Sequence, residues 1–194
     1  MATARTIFLL IALLYWAGCS GVSPTDPAEG TGPVVARYAL TAQDAAAPPC
    51  CVVDSGNVQV TVIGGALTFR GPAGYADTVF TPAGPASRAC VHGVPNGANV
   101  NTLTHIVTLT DGTSYLQLPC DRGTYTLVVM RQLHHPDGSS ATDSVTVSSG
   151  TFTAEPDIVD LADSHSTGSF TSSVTVATIV VTGPAHQYRF DPGN

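Results

Sequence analysis

The residues of this chain with chemistry to offer are five cysteines, six histidines and a recurrent aspartate. His134-His135-Pro136-Asp137-Gly138 sets two imidazoles beside a carboxylate, the donor types of a metal site. Neighbouring residues of a strand face opposite ways, so only a turn could aim both imidazoles at one ion. Pro-Asp-Gly is itself turn chemistry, and polar side chains belong at such a tip in any case; a solvated turn is the favoured reading. Cys90-x-His92, with Cys120 and the pair Cys50-Cys51, offers ligands suited to zinc or copper(I), but no CxxC knuckle. Asp157, Asp160 and Asp163 recur at every third residue. A calcium loop needs alternating ligands, a glycine and a terminal glutamate, so this spacing reads as a solvated strand face or loop. Ser, His and Asp are plentiful, yet neither a G-x-S-x-G elbow nor an HExxH pair occurs. The sequence thus predicts no catalytic residue, no metal and no cofactor, and a protein that is not an enzyme.

One cysteine stands apart. Arg5 is the sole charge before Ile7–Trp16, a run of ten apolar or aromatic residues. A spanning helix needs about 20, so the run fits the core of a secretory signal peptide rather than a permanent span. Ala17-Gly18-Cys19-Ser20 then resembles the lipobox of bacterial lipoproteins. The resemblance implies cleavage before Cys19, lipid on its thiol and a membrane anchor, since each buried CH₂ of an acyl chain contributes about 0.8 kcal/mol. Ser20, in place of Asp, points to the outer membrane or the periplasmic face of the envelope. The alternative is plain secretion after a cut at a small-x-small site. Ser20–Pro33, rich in Pro, Gly, Ser and Thr, reads as a flexible tether with a reach of about 20 Å. The expected organisation is a signal peptide over 1–18, lipidated Cys19 and tether over 19–33, and one folded domain over 34–194.

Charge removes several functions. The chain has no lysine, and loss of Arg5 with the leader makes it still more acidic than its formal −7. Six scattered arginines make no basic patch, which excludes nucleic acid as a partner and leaves lipid as the hold on a membrane. With Cys19 acylated, Cys50, Cys51, Cys90 and Cys120 remain, an even set for disulfides in an oxidising compartment. A bridge between adjacent Cys50 and Cys51 would need a strained ring. The expected bridges therefore staple Cys90 and Cys120 to the Cys50-Cys51 segment, each contributing roughly 2–4 kcal/mol.

The elements that must position these residues read as strands. Val34–Thr41, Val58–Val62 and Ala66–Arg70 alternate at period two, with Gly64-Gly65 as a hairpin turn and Gln43–Pro49 as a loop delivering Cys50-Cys51. Thr78–Phe80 and Ser87–His92 are short strands among loops. Leu103–Thr110 and Ser114–Leu118 flank Asp111-Gly112. Thr124–Arg131, Ser144–Ser148, Thr151–Ala154, Asp157–Ala162, Gly168–Thr171, Val174–Thr182 and His186–Phe190 complete the set. No helical period follows the signal-peptide helix. About twelve strands joined by turns predict an all-β, antiparallel up-and-down meander. Closure into a barrel removes the open edges such a meander would leave; a β-sandwich is the alternative.

Arg37-Tyr38-Ala39-Leu40-Thr41, Pro48-Pro49-Cys50-Cys51, Leu109–Tyr115, Gly123–Leu127 and the closing Val181–Phe190 resemble a group of uncharacterised bacterial lipoproteins. That resemblance implies a small lipocalin-like β-barrel and carries no catalytic or binding residues with it. The expectation is a lipid-anchored envelope protein that either binds a small apolar ligand or serves as a surface or structural module. Gly123–Val128 also resembles a strand of carboxypeptidase-regulatory modules. The alternative is therefore an immunoglobulin-like or regulatory-type sandwich acting in adhesion or envelope assembly. No protein partner is named by the sequence.

Overall fold

The computed structural model describes residues 32–72, 90, 95–164, 171–175 and 178–192. The signal peptide, Cys19, the tether up to residue 31, the expected Thr78–Phe80 strand and His92 lie outside them. Twelve strands occur among the described residues: β1 Val34–Gln43, β2 Cys50–Ser55, β3 Val58–Arg70, β4 Asn99–Asn101, β5 Ile106–Thr108 and β6 Ser114–Leu116. The remainder are β7 Arg122–His134, β8 Ser140–Glu155, β9 Ile158–Asp163, β10 Thr171–Thr175, β11 Thr178–Thr182 and β12 Gln187–Pro192. The main sheet runs β10-β11-β12-β1-β3-β7-β8-β9, with β2 added beside β3. Every pairing is antiparallel, and each of the eight strands on this path lies beside its neighbour in the meander. The two ends nearly meet: Ser172 Oγ on β10 donates to the Val159 carbonyl on β9. The fold is an up-and-down sheet nearly closed into a barrel, and the Greek-key crossing of a sandwich does not occur among the described residues.

Period two explains the interior. Tyr38 on β1, Leu67 and Phe69 on β3, Leu127 on β7, Phe152 on β8 and Phe190 on β12 point inward and are almost fully buried. Phe69 meets Tyr38 and Phe152 edge-on, at centroid distances of 6.0 and 4.9 Å, a geometry that adds roughly 0.5–1.5 kcal/mol per pair beyond burial. Side chains fill the barrel at these levels.

Two glycines of the long strands permit a close approach of neighbouring backbone. A Cβ on Gly65 would meet the Val128 carbonyl, and one on Gly150 the Ala162 carbonyl. Such close approach is where a strand tolerates glycine best. Gly64-Gly65 is therefore not the expected hairpin turn. It lies within continuous β3, opposite Met130 and Val129, just after a bulge at Val62. The turn is Gly56-Asn57, a two-residue loop with Gly56 at φ 64°, the backbone a primed hairpin turn requires at its first central residue. Two other expectations change in the same way. Ser144–Ser148 and Thr151–Ala154 are one strand, β8, while Val174–Thr182 divides into β10 and β11.

At one end, here the base, lie Val34, Arg70, Thr124 and Ile158. The small sheet β4-β5-β6 docks there through Leu116 and Leu118, which join the core. Asp157, in the β8–β9 turn, accepts from Leu116 N at 2.8 Å, and its own N–H donates to the Leu116 carbonyl. At the other end, the rim, β1 ceases to pair with β3 beyond Ala66, and β9 ceases to pair with β8 before Ser149. Beyond those limits β3, β7 and β8 continue together. With β2 they form a four-stranded flap that rises from the rim.

Candidate functional site

The four domain cysteines pair differently from the expectation. Cys90 is bonded to Cys120, and Cys50 is paired with its neighbour Cys51. Distance along β3 explains why no bridge crosses between the two groups. Cys50 lies opposite Val62 near the flap, whereas Cys120 stands four residues before Thr124, the partner of Arg70 at the base. Val62 and Arg70 are eight positions apart on β3, about 26 Å at 3.3 Å per residue, while bridged Cα atoms lie within about 7 Å. Cys51 adopts φ 61°, a left-handed conformation uncommon for a residue with a side chain.

The sequence-predicted clusters disperse. His134 bonds Ser140 through Nδ1 at 2.9 Å, and His135 lies in the turn, where its carbonyl accepts from Gly138 N. Asp137 accepts from Ser139 N at 2.8 Å, and its hydrogen bonds to Ser139 hold its carboxyl below the usual carboxylate range. This is the polar hairpin tip expected from Pro-Asp-Gly. The three aspartates part company: Asp157 ties down Leu116, Asp160 faces solvent, and Asp163 turns to the barrel interior. No group of three His, Cys, Asp or Glu residues that could hold a metal occurs among the described residues.

Two polar assemblies that no motif signalled are built inside the fold. Tyr125 on β7, Ser148 on β8 and Asp163 on β9 form a chain across three neighbouring strands. Ser148 Oγ donates to Asp163 Oδ2 at 2.6 Å and lies 2.6 Å from Tyr125 Oη. Since the serine proton is committed to the carboxylate, the phenol donates to Ser148. Burial is the main cause that raises the Tyr125 phenol above its ordinary value, so it stays protonated at neutral pH. Among the described residues no imidazole bonds Ser148, which is buried. Through these two bonds the chain ties β7, β8 and β9 together.

The second assembly lies toward the base. The His105 ring packs edge-on against Tyr38 at 6.3 Å, and burial lowers the imidazole so that it is neutral at pH 7. Tyr38 Oη, Thr104 Oγ1 and Gln117 Oε1 are buried with no hydrogen bond among the described residues.

The rim and flap carry the exposed features. Asp44, at φ 50° in the loop after β1, accepts from Gln187 N at 2.9 Å and pairs with His186 Nδ1 at 2.7 Å. The Gln187 N–H is the largest cause that lowers its carboxyl. On the flap, Arg131 grips Asp143 with two bonds, Nε to Oδ1 at 3.0 Å and a terminal nitrogen to Oδ2 at 2.5 Å. This pair faces inward on β7 and β8. On the outer strand β2, Val52 and Val53 are 58% and 56% exposed, consecutive aliphatics on a strand that, among the described residues, is paired on one side only. The register slips by one residue between Cys50 and Val53, which turns both valines outward.

β2 itself went unread in the sequence. Its signal was present in Val52-Val53 followed by Gly56-Asn57 and Val58, a hairpin pattern at the correct spacing. Comparison with family models, with curated proteins and with solved structures finds no match.

Proposed function

We propose that the chain is a lipid-anchored protein of the bacterial cell envelope, held through Cys19, whose barrel is a non-catalytic module that works through its surface. Three things support this. The leader ends in lipobox-like Ala17-Gly18-Cys19-Ser20, and the chain that follows it enters the barrel at the base. There Gly71 N donates to the Pro33 carbonyl, and Arg70 reaches the Gly32 carbonyl at 3.1 Å. The observation that carries the reading is that the interior is occupied by Phe69, Phe152, Phe190, Leu67, Leu127 and Ile179, all nearly or fully buried. Packing of that kind weighs against an apolar ligand within the barrel, and moves recognition to the outside. The flap, with its open edge, stands at the end away from the tether.

The test is detergent phase partition with metabolic labelling by an alkynyl fatty acid in a bacterial host. The full chain is expected in the detergent phase, labelled. Cys19→Ser is expected unlabelled and in the aqueous phase. A labelled Cys19→Ser protein, or an unlabelled parent, defeats the anchor. An apolar adduct retained in native mass spectrometry and lost on denaturation would restore ligand binding in place of a surface role.

A further inference from the structure

The flap has two lateral edges, and they are not alike. The outer edge of β8, Ser140–Ser148, alternates Thr142, Ser144 and Thr146 outward with Asp143 inward, and Asp143 is held by Arg131. An inward charge and polar outer residues are ways in which natural sheets refuse a further strand. β4, the outer strand of the small sheet, is Asn99-Val100-Asn101, short and polar. β2 is guarded less: its one charge is Asp54, near its end, and its register slip is confined to Cys50–Val53. Cys50-Cys51-Val52-Val53 has no charge and no proline, and the chain contains no lysine to place on an edge.

Charge narrows the occupant. The flap carries Asp54, Asp137 and Asp143 against Arg131 alone among residues charged at every physiological pH, and Arg131 is already paired. Asp54 is exposed beside Val53, and its carboxylate makes no ion pair among the described residues. A second copy of this chain is a poor fit. Two β2 strands pairing antiparallel about a two-fold axis would invert one barrel relative to the other, with the tethers at opposite ends. Parallel pairing has no closed symmetry.

We propose that β2 accepts an extended segment of a different protein as an added strand, aliphatic against Val52 and Val53 and with an arginine or lysine reaching Asp54. Main-chain hydrogen bonds to the β2 edge supply the affinity, and the valines and Asp54 supply the register. The exclusion of a second copy rests on the proposed anchor at the base; the less guarded edge does not.

The experiment is hydrogen exchange of the full chain in detergent micelles with three synthetic peptides. One is acetyl-Arg-Val-Thr-Val-Arg-Val-Thr-amide, one replaces its arginines by glutamates, and one is N-methylated at every residue, so that neither edge can donate. The basic peptide is expected to slow exchange across Val52–Ser55, the N-methylated peptide to leave it unchanged, and the acidic peptide to bind weakly. Val53→Lys, at an exposed site that leaves the core intact, is expected to weaken the basic peptide roughly tenfold. Asp54→Asn should abolish the preference for basic over acidic. Equal protection by the N-methylated peptide, or no protection by any peptide, overturns the proposal. So does protection that rises with protein concentration alone, which would assign the edge to a second copy. Loss of the Cys19 anchor with peptide protection intact would overturn the membrane reading and leave the edge standing.

Discussion

Replacing Ser148 should destabilise the barrel far more than replacing Tyr125, although the two hydroxyls touch. Ser148 is the middle link: it accepts from the Tyr125 phenol and donates to Asp163, each at 2.6 Å. Tyr125→Phe removes one donor and leaves Ser148 bonded to Asp163, a net loss of about 1 kcal/mol. Ser148→Ala does two things. It strands a phenol hydroxyl in a site where Tyr125 is 1% exposed, which costs about 1–3 kcal/mol, and it takes a charge-assisted bond from Asp163, about 1.5–3 kcal/mol. A loss of about 3–4 kcal/mol follows for the single change. In the double variant no hydroxyl is stranded, and the loss should fall to about 2–3 kcal/mol, short of the sum of the singles by about 2 kcal/mol. Urea unfolding followed by far-ultraviolet circular dichroism, with disulfides intact, measures all four proteins; the barrel has no tryptophan to report instead. Equal losses for the two single variants, or strict additivity in the double, would refute the relay as drawn.

The adjacent glycines give a contrast on one strand. Gly64→Ala finds open space and should stay within about 0.5 kcal/mol, whereas Gly65→Ala drives a methyl into the Val128 carbonyl and should lose about 1–3 kcal/mol in the same unfolding assay. Comparable losses at both would return Gly64-Gly65 to a turn. A non-reducing digest should yield Cys90 and Cys120 peptides joined to each other and none joined to Cys50 or Cys51. Cys120→Ser, opening a loop of sequence separation 30, should lose about 3–4 kcal/mol by loop entropy. Asp143 is held low chiefly by its hydrogen bonds from Arg131. Its contribution is therefore present above the ordinary carboxylate pKa and fades as pH falls through the lowered folded value. Arg131→Gln should melt below the parent at pH 7, and the two melting curves should converge in acid; a gap that widens toward low pH would reverse the assignment.

Much of the barrel was legible because alternation is a local property. Val34–Thr41, Thr124–Arg131 and His186–Phe190 announce strands by period two, and each lies within or largely overlaps a strand of the fold. The misreadings have a common origin. A glycine pair signals either a turn or a place where another backbone comes close, and only the partner strand distinguishes them. At Gly64-Gly65 the partner is Val129-Met130, more than sixty positions away, while the true turn, Gly56-Asn57, stood a few residues earlier. Gly150 broke β8 in the reading for the same reason. Cysteine pairing was illegible because it depends on which end of β3 each cysteine reaches. The Tyr125–Ser148–Asp163 chain had no spacing to betray it, since its members come from three strands of unremarkable Ser- and Thr-rich sequence.

The place of β1 has a mechanical meaning. Gly32 and Pro33 lead into its base end, where the proposed tether would join, and β1 is laddered on both sides, to β12 and to β3. A pull on the tether opposed by a partner held at the flap would draw β1 and β3 past each other along their length. The inter-strand hydrogen bonds then resist in shear, sharing the load across both ladders instead of opening one at a time as in a peeled edge strand. Because β3, β7 and β8 pass unbroken from barrel to flap, the same load reaches the core without crossing a loop. Resistance to such a force is set by the rate of unfolding rather than by equilibrium stability, and this connectivity gives the domain the build of a load-bearing link.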